Sequence, residues 1–119
     1  MYKTNRTTNP AGSFSGPIVV AMRPIRRDDV DRVVALTRRL PLAHRAPIHA
    51  GSPDELGIPD LETPDYGEAL PIEPHEIPVF WACGVTAQAV AVHSKIPRMI
   101  THAPGHMFVT DCRLDKPIR

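Results

Sequence analysis

Cys83, Thr86, Gln88, His102, His106 and Asp111 fall close together in the stretch from Pro78 to Asp111. These residue types supply a thiol that can act as a nucleophile or weak acid and imidazoles that move protons near neutral pH. They also supply a carboxylate that can orient a histidine or act as an acid itself. Gly84-Val85-Thr86 reads as a turn from a strand into a helix, with Thr86 where an N-cap belongs. The free N–H groups and partial positive charge of such a turn stabilise a carboxylate or an oxyanion, and the glycine lets a ligand approach the backbone. Thr86 and Gln88 add a hydroxyl and an amide. Arg23, at the end of an apolar strand, and Arg45, on the loop after a helix, are candidate bidentate clamps for a substrate carboxylate. Each of these residues also has an ordinary structural reading, as a capped helix, a buried thiol or a surface ion pair. A metal is the rival use of His44, His49, His102, His106 and Asp111. Their intervals match no HExxH or paired Cys/His pattern, so no metal site is expected.

The elements that must position these groups follow from the apolar pattern. Pro17-Ile-Val-Val-Ala-Met-Arg23 is continuously apolar, as in a strand buried on both faces, and Pro24 is expected to end it. Asp28 to Leu40 has acidic residues in its first turn and Arg38-Arg39 in its last. Val30, Val33, Val34 and Thr37 share one side, which predicts an amphipathic helix packed on the preceding strand. Val79-Phe-Trp-Ala-Cys83 reads as a second strand, and Gln88 to Ser94 as a short helix. Arg98 to His102 and Met107 to Asp111 read as a hairpin around the turn Ala103-Pro-Gly-His106. In a simple hairpin His102 and Asp111 are not directly opposite, so a relay between them needs an irregular turn. Met1 to Ser15 reads as an extended polar loop, with a brief strand near Ala46 to His49.

Proline is the unusual count at 14 of 119 residues, and most lie between Pro41 and Pro78. So long a loop in a small domain is functional or packed against something else. A formal net charge of +1 with 23% charged residues favours neither nucleic acid nor an anionic membrane as partner. Apolar runs of about five to seven residues fall short of a transmembrane span. The polar N-terminus reads as no secretory signal, and Cys83 and Cys112 read as free thiols in a reducing, cytoplasmic setting.

Met-Tyr-Lys-Thr-Asn, Gly16-Pro-Ile-Val-Val-Ala-Met-Arg-Pro24 and Ala46-Pro-Ile-His-Ala-Gly51 precede the longer strings Phe80-Trp-Ala-Cys-Gly-Val-Thr86 and Ile100-Thr-His-Ala-Pro-Gly-His-Met-Phe-Val-Thr-Asp111. Together, and in this order, they resemble the hydro-lyase family that includes the D-glutamate cyclases. The resemblance implies an α/β protein, a mixed sheet with a few flanking helices and long proline-rich loops. It implies dehydration of D-glutamate to 5-oxo-D-proline, or of a related small amino or carboxylic acid, with no cofactor attached. On this reading His102, Asp111 and Cys83 are the catalytic candidates. Gly84, Thr86, Gln88, Arg23, Arg45 and His106 would bind substrate. Family members are about twice as long, and residues 1–119 look like a single domain matching their C-terminal half. The other half carries a Cys- and Ser-containing segment expected to help form the pocket. Homo-oligomerisation or association with the missing N-terminal half is therefore expected, and the proline-rich loop is expected to have lost the surface it packs on. The alternative is a non-catalytic half that binds a carboxylate ligand or a partner chain.

Overall fold

The computed structural model describes residues 1–106, 109–111 and 113–114. Its elements are β1 (Tyr2–Thr7), β2 (Pro17–Arg26), α1 (Val30–Arg38, entered through a 3-10 turn at Arg27–Asp29), β3 (His49–Ala50), β4 (Glu76–Ala82) and α2 (Thr86–His93). The strands form one sheet in the order β1-β2-β4-β3, and every pairing among the described residues is antiparallel. The α/β class expected from sequence is present.

The apolar β2 is central, as its composition predicts. Val20 and Met22 point to one face, with Phe80, Tyr2, Leu56 and Ile58. Val19 points to the other, with Val85 and Ala89. Pro24 does not end the strand. It pairs with Pro78, and β2 continues to Arg26 opposite Glu76. The reason is which way the missing donors face. The Pro78 carbonyl accepts from Gly51 N–H on the β3 side (2.9 Å), so the Pro78 nitrogen also points away from β2. No rung of the β2–β4 ladder is lost at that pair.

The N-terminal segment is strand rather than loop. Tyr2 and Thr4 are buried while Lys3 and Asn5 are exposed, a period of two hidden by polar residues. Thr4 is tolerated inside because its hydroxyl donates to the Ile18 carbonyl at 2.8 Å. The proline-rich connector seals both this edge and one face. Tyr66 and Met1 exchange backbone hydrogen bonds (2.9 and 3.1 Å). Asp65 accepts from Lys3 N–H at 2.7 Å, and the Leu61 carbonyl accepts from the Tyr2 hydroxyl at 2.7 Å. Leu56 and Ile58, at 0% and 2% exposure, fill the core beside Phe80. The connector has therefore not lost its packing surface; the sheet is that surface.

Two other expectations are met only in part or not at all. Val30, Val33, Val34 and Thr37 of α1 are half-buried and the other side of the helix is exposed, so the apolar side turns inward but no residue of it is fully buried. After α2 the chain is exposed and makes no strand at Arg98 to His102 or at Val109 to Asp111. The turn at Ala103 to His106 is present, closed by His106 N–H to the Ala103 carbonyl at 3.0 Å. Met107, Phe108 and Cys112 lie outside the described residues. Among the described residues no helix is long and apolar enough to cross a membrane.

Candidate active site

The β4 strand hands over to α2 through Cys83-Gly84-Val85. Cys83 N–H donates to the Val19 carbonyl at 2.9 Å, which ties the end of β4 to β2. Thr86 N–H then returns to the Cys83 carbonyl (3.0 Å) and Ala87 N–H to that of Gly84 (3.2 Å), so the chain turns sharply into the helix. Val85, not Thr86, is the N-cap, and no side chain caps the helix. The Thr86 hydroxyl lies within 3.0 Å of Val19 N–H and 3.2 Å of its carbonyl. It anchors α2 to β2, and its one hydrogen is engaged there. The N–H of Gly84, an exposed residue, has no acceptor among the described residues, whereas Val85 behind it is buried. The open end of α2 therefore keeps its partial positive charge for an incoming anion.

His102 is brought to this turn. A Cβ built on Gly84 would sit 3.5 Å from His102 Nε2, so the ring rests directly over the glycine. His102 Nδ1 lies 2.8 Å from the Ala103 carbonyl. A carbonyl only accepts, so Nδ1 carries the hydrogen of the neutral ring and Nε2 presents its lone pair to the turn. The loop is held by the His102 carbonyl, which accepts from the Gln88 side-chain amide and from the Thr101 hydroxyl (3.0 Å). Gln88 thus positions His102 across the helix–loop gap. Thr101 was not among the sequence candidates, since nothing in its spacing marks it.

The remaining candidates are dispersed. Cys83 is half-buried, its Sγ 3.4 Å from Met1 Sδ in the small cluster of Val19, Val85, Ala89 and Tyr66. Burial lowers the Met1 α-amine below its ordinary value; Cys83 opposes that shift, Arg23 adds to it and Asp65 opposes it. Arg23 pairs with Val79, on the same face of the sheet as Cys83 but four residues along the strand. Its guanidinium donates to the Met22 carbonyl at 2.9 Å and is otherwise exposed. Arg45 is exposed on the loop before β3, where it and His44 both adopt left-handed backbone angles. His106 is exposed in its turn, and its Nδ1 lies 3.2 Å from the Pro104 carbonyl. Asp111 is exposed, and among the described residues it makes no ion pair or hydrogen bond with His102. The structure brings Gly84, Gln88 and His102 into one locality, beside Cys83 at the end of β4. The described residues do not join Asp111 or Arg45 to it. Among them no three His, Cys, Asp or Glu side chains group in a way that would hold a metal.

A concavity of about 420 Å³ lies apart from this turn, between the β1–β2 connection and the end of α2, lined by Thr7, Thr8, Ser15, Gly16 and His93. Gly16 lets the start of β2 approach α2 closely beside it, since a Cβ there would stand 3.1 Å from Val90 Cα and 3.2 Å from His93 Cβ.

Residues 1–111 match the family model described as D-glutamate cyclase. The chain belongs to that family. It is 56% identical over 111 residues to a protein of Methylobacterium radiotolerans, covering 93% of this chain and 41% of the relative. It is 57% identical over 113 residues to a protein of Rubrobacter xylanophilus, covering 95% and 44%. A Bacillus licheniformis protein is 55% identical over 113 residues, covering 95% and 43%. All three carry the name "Putative hydro-lyase". The chain spans about two fifths of the length of the curated relatives it matches.

Proposed function

We propose that the β4–α2 turn and His102 form part of a carbon–oxygen lyase site of the D-glutamate cyclase type. The observation that carries this reading is His102 Nε2 set over Gly84 at an uncapped helix start. In such a site His102 takes a proton from the substrate ammonium, and the neutral amine attacks the side-chain carboxyl carbon. A C–N bond forms, and the oxyanion is held by the exposed, unpaired N–H of Gly84 at the start of α2. Collapse breaks a C–O bond. The two protons lost by the ammonium leave on the departing oxygen as water, with His102 returning the one it took. D-glutamate, giving 5-oxo-D-proline, is the substrate this proposal names. A soluble cytoplasmic setting accords with it. The two-fifths coverage favours a second reading, in which this part binds the carboxylate and turnover needs the rest of the family fold.

Proton NMR of the folded chain with D-glutamate, and separately with 5-oxo-D-proline, tests both, with L-isomers as controls. Stereospecific interconversion that falls about 100-fold or more in His102→Gln supports the lyase site. Shifts confined to the Gly84–Gln88 amides without turnover support the carboxylate-binding reading. A folded chain showing neither removes both.

A further inference from the structure

Helix α1 has nine residues. Helices shorter than about 12–15 residues are marginal in water, and in proteins they are held by packing of an apolar face. This helix has that face: Val30, Val33 and Val34 align, with Leu36 and Leu40 beside them. Val30, Val33 and Val34 are only half-buried, no residue of the helix is fully buried, and Leu36 is 54% exposed. Local contacts support it, the Arg26–Asp29 ion pair at 2.6 Å and the Thr37 hydroxyl donating to the Val33 carbonyl at 2.9 Å. Between α1 and the paired ends of β2 and β4 runs an open groove of about 370 Å³. Its floor is Pro24, Ile25, Val33 and Leu36, and Arg32 and Glu76 stand at its rim. An apolar floor with a rim of both charges is the anatomy of a polypeptide interface.

We propose that this face of α1 is the docking surface for the remainder of the family fold, the polypeptide corresponding to the part of the relatives that this chain does not match. More than half of each relative's length lies outside the match, while the match takes in α1 entire. An amphipathic helix whose apolar side is only half-covered in this part of the fold, with Leu36 open beside the groove, is what a surface completed by the rest looks like. The proposal is independent of the lyase reading, because α1 carries none of the residues of that site.

Amide hydrogen exchange, measured on the intact Methylobacterium radiotolerans relative and on this chain alone, is the test. In the intact relative, the helix matching α1 is expected to exchange at least 10-fold more slowly than α1 here. Placing Glu at the position matching Leu36 should remove that protection, whereas Leu36→Glu in this chain should leave its exchange and unfolding midpoint unchanged. Equal exchange in the two proteins overturns the proposal. So does sedimentation showing that this chain forms a dimer that Leu36→Glu abolishes, since a second copy would then be the occupant.

Discussion

The two faces of the sheet are closed by different material. One is covered by chain whose regular structure is a single 3-10 turn at Pro53–Leu56: Leu56, Ile58, Leu61 and Ile72 of the proline-rich connector pack on Tyr2, Val20, Met22 and Phe80. The other is covered by α2, whose short side chains let it sit close over Val19. The irregular cover makes the larger core, and the regular one makes the turn that holds His102. Burial depends on apolar area delivered to the sheet, not on the regularity of the segment that delivers it.

The widest separation between regions should appear on deleting the same atoms from each. Leu56→Ala is expected to cost about 2–5 kcal/mol in urea unfolding, because it opens a cavity against Phe80. Leu36→Ala on α1 should stay within about 0.5 kcal/mol in the isolated chain. Equal losses would mean that the connector is not the true core. Next is Gly57→Ala, at the end of the Pro53–Leu56 turn. Gly57 has φ +69°, and its Cβ would meet Asn5 Cβ at 2.9 Å, so a loss of about 1–3 kcal/mol is expected. On the helix-covered face, Thr86→Val removes the hydroxyl that serves Val19. It should cost about 1–2 kcal/mol, with Thr86→Ser recovering most of it in thermal melts.

The smallest effect is a dependence on pH. Burial raises the Tyr2 hydroxyl above its ordinary value, with Glu62 and Asp60 adding to the shift. The folded state therefore holds this proton more tightly than the unfolded chain. The stability it contributes is complete below about pH 10 and is lost as pH rises through the higher folded value. Tyr2→Phe should flatten that alkaline decline, at the cost of the hydrogen bond to the Leu61 carbonyl.

Where a segment's neighbours along the chain set its environment, the sequence could be read. The apolar run of β2, the Gly84 turn, the span of α1 and the Pro104-Gly105 turn are of this kind. Reading failed where a partner distant in sequence decides. β1 looks like a loop until Thr4 finds Ile18 and Met1 finds Tyr66. Pro24 looks like a terminator until Pro78 is opposite it. The segment from Arg98 to His102 looks like a strand but is paired with nothing among the described residues.

The candidate site divides in the same way. Residue type and spacing nominated Gly84, Gln88 and His102, because a strand–glycine–helix turn is a local event and the histidine follows at short range. Only the folded chain decided the rest. It turned the Thr86 hydroxyl inward to Val19, set the tautomer of His102 through the Ala103 carbonyl, and left Asp111 and Arg45 outside the locality. The sequence by itself determined the family, the central strand and the chemistry available at the turn, since those reside in short contiguous patterns. Tertiary structure decided which polar groups are spent on the fold and which stay free for a ligand. That depends on hydrogen-bond partners supplied from elsewhere in the chain, which no local pattern records.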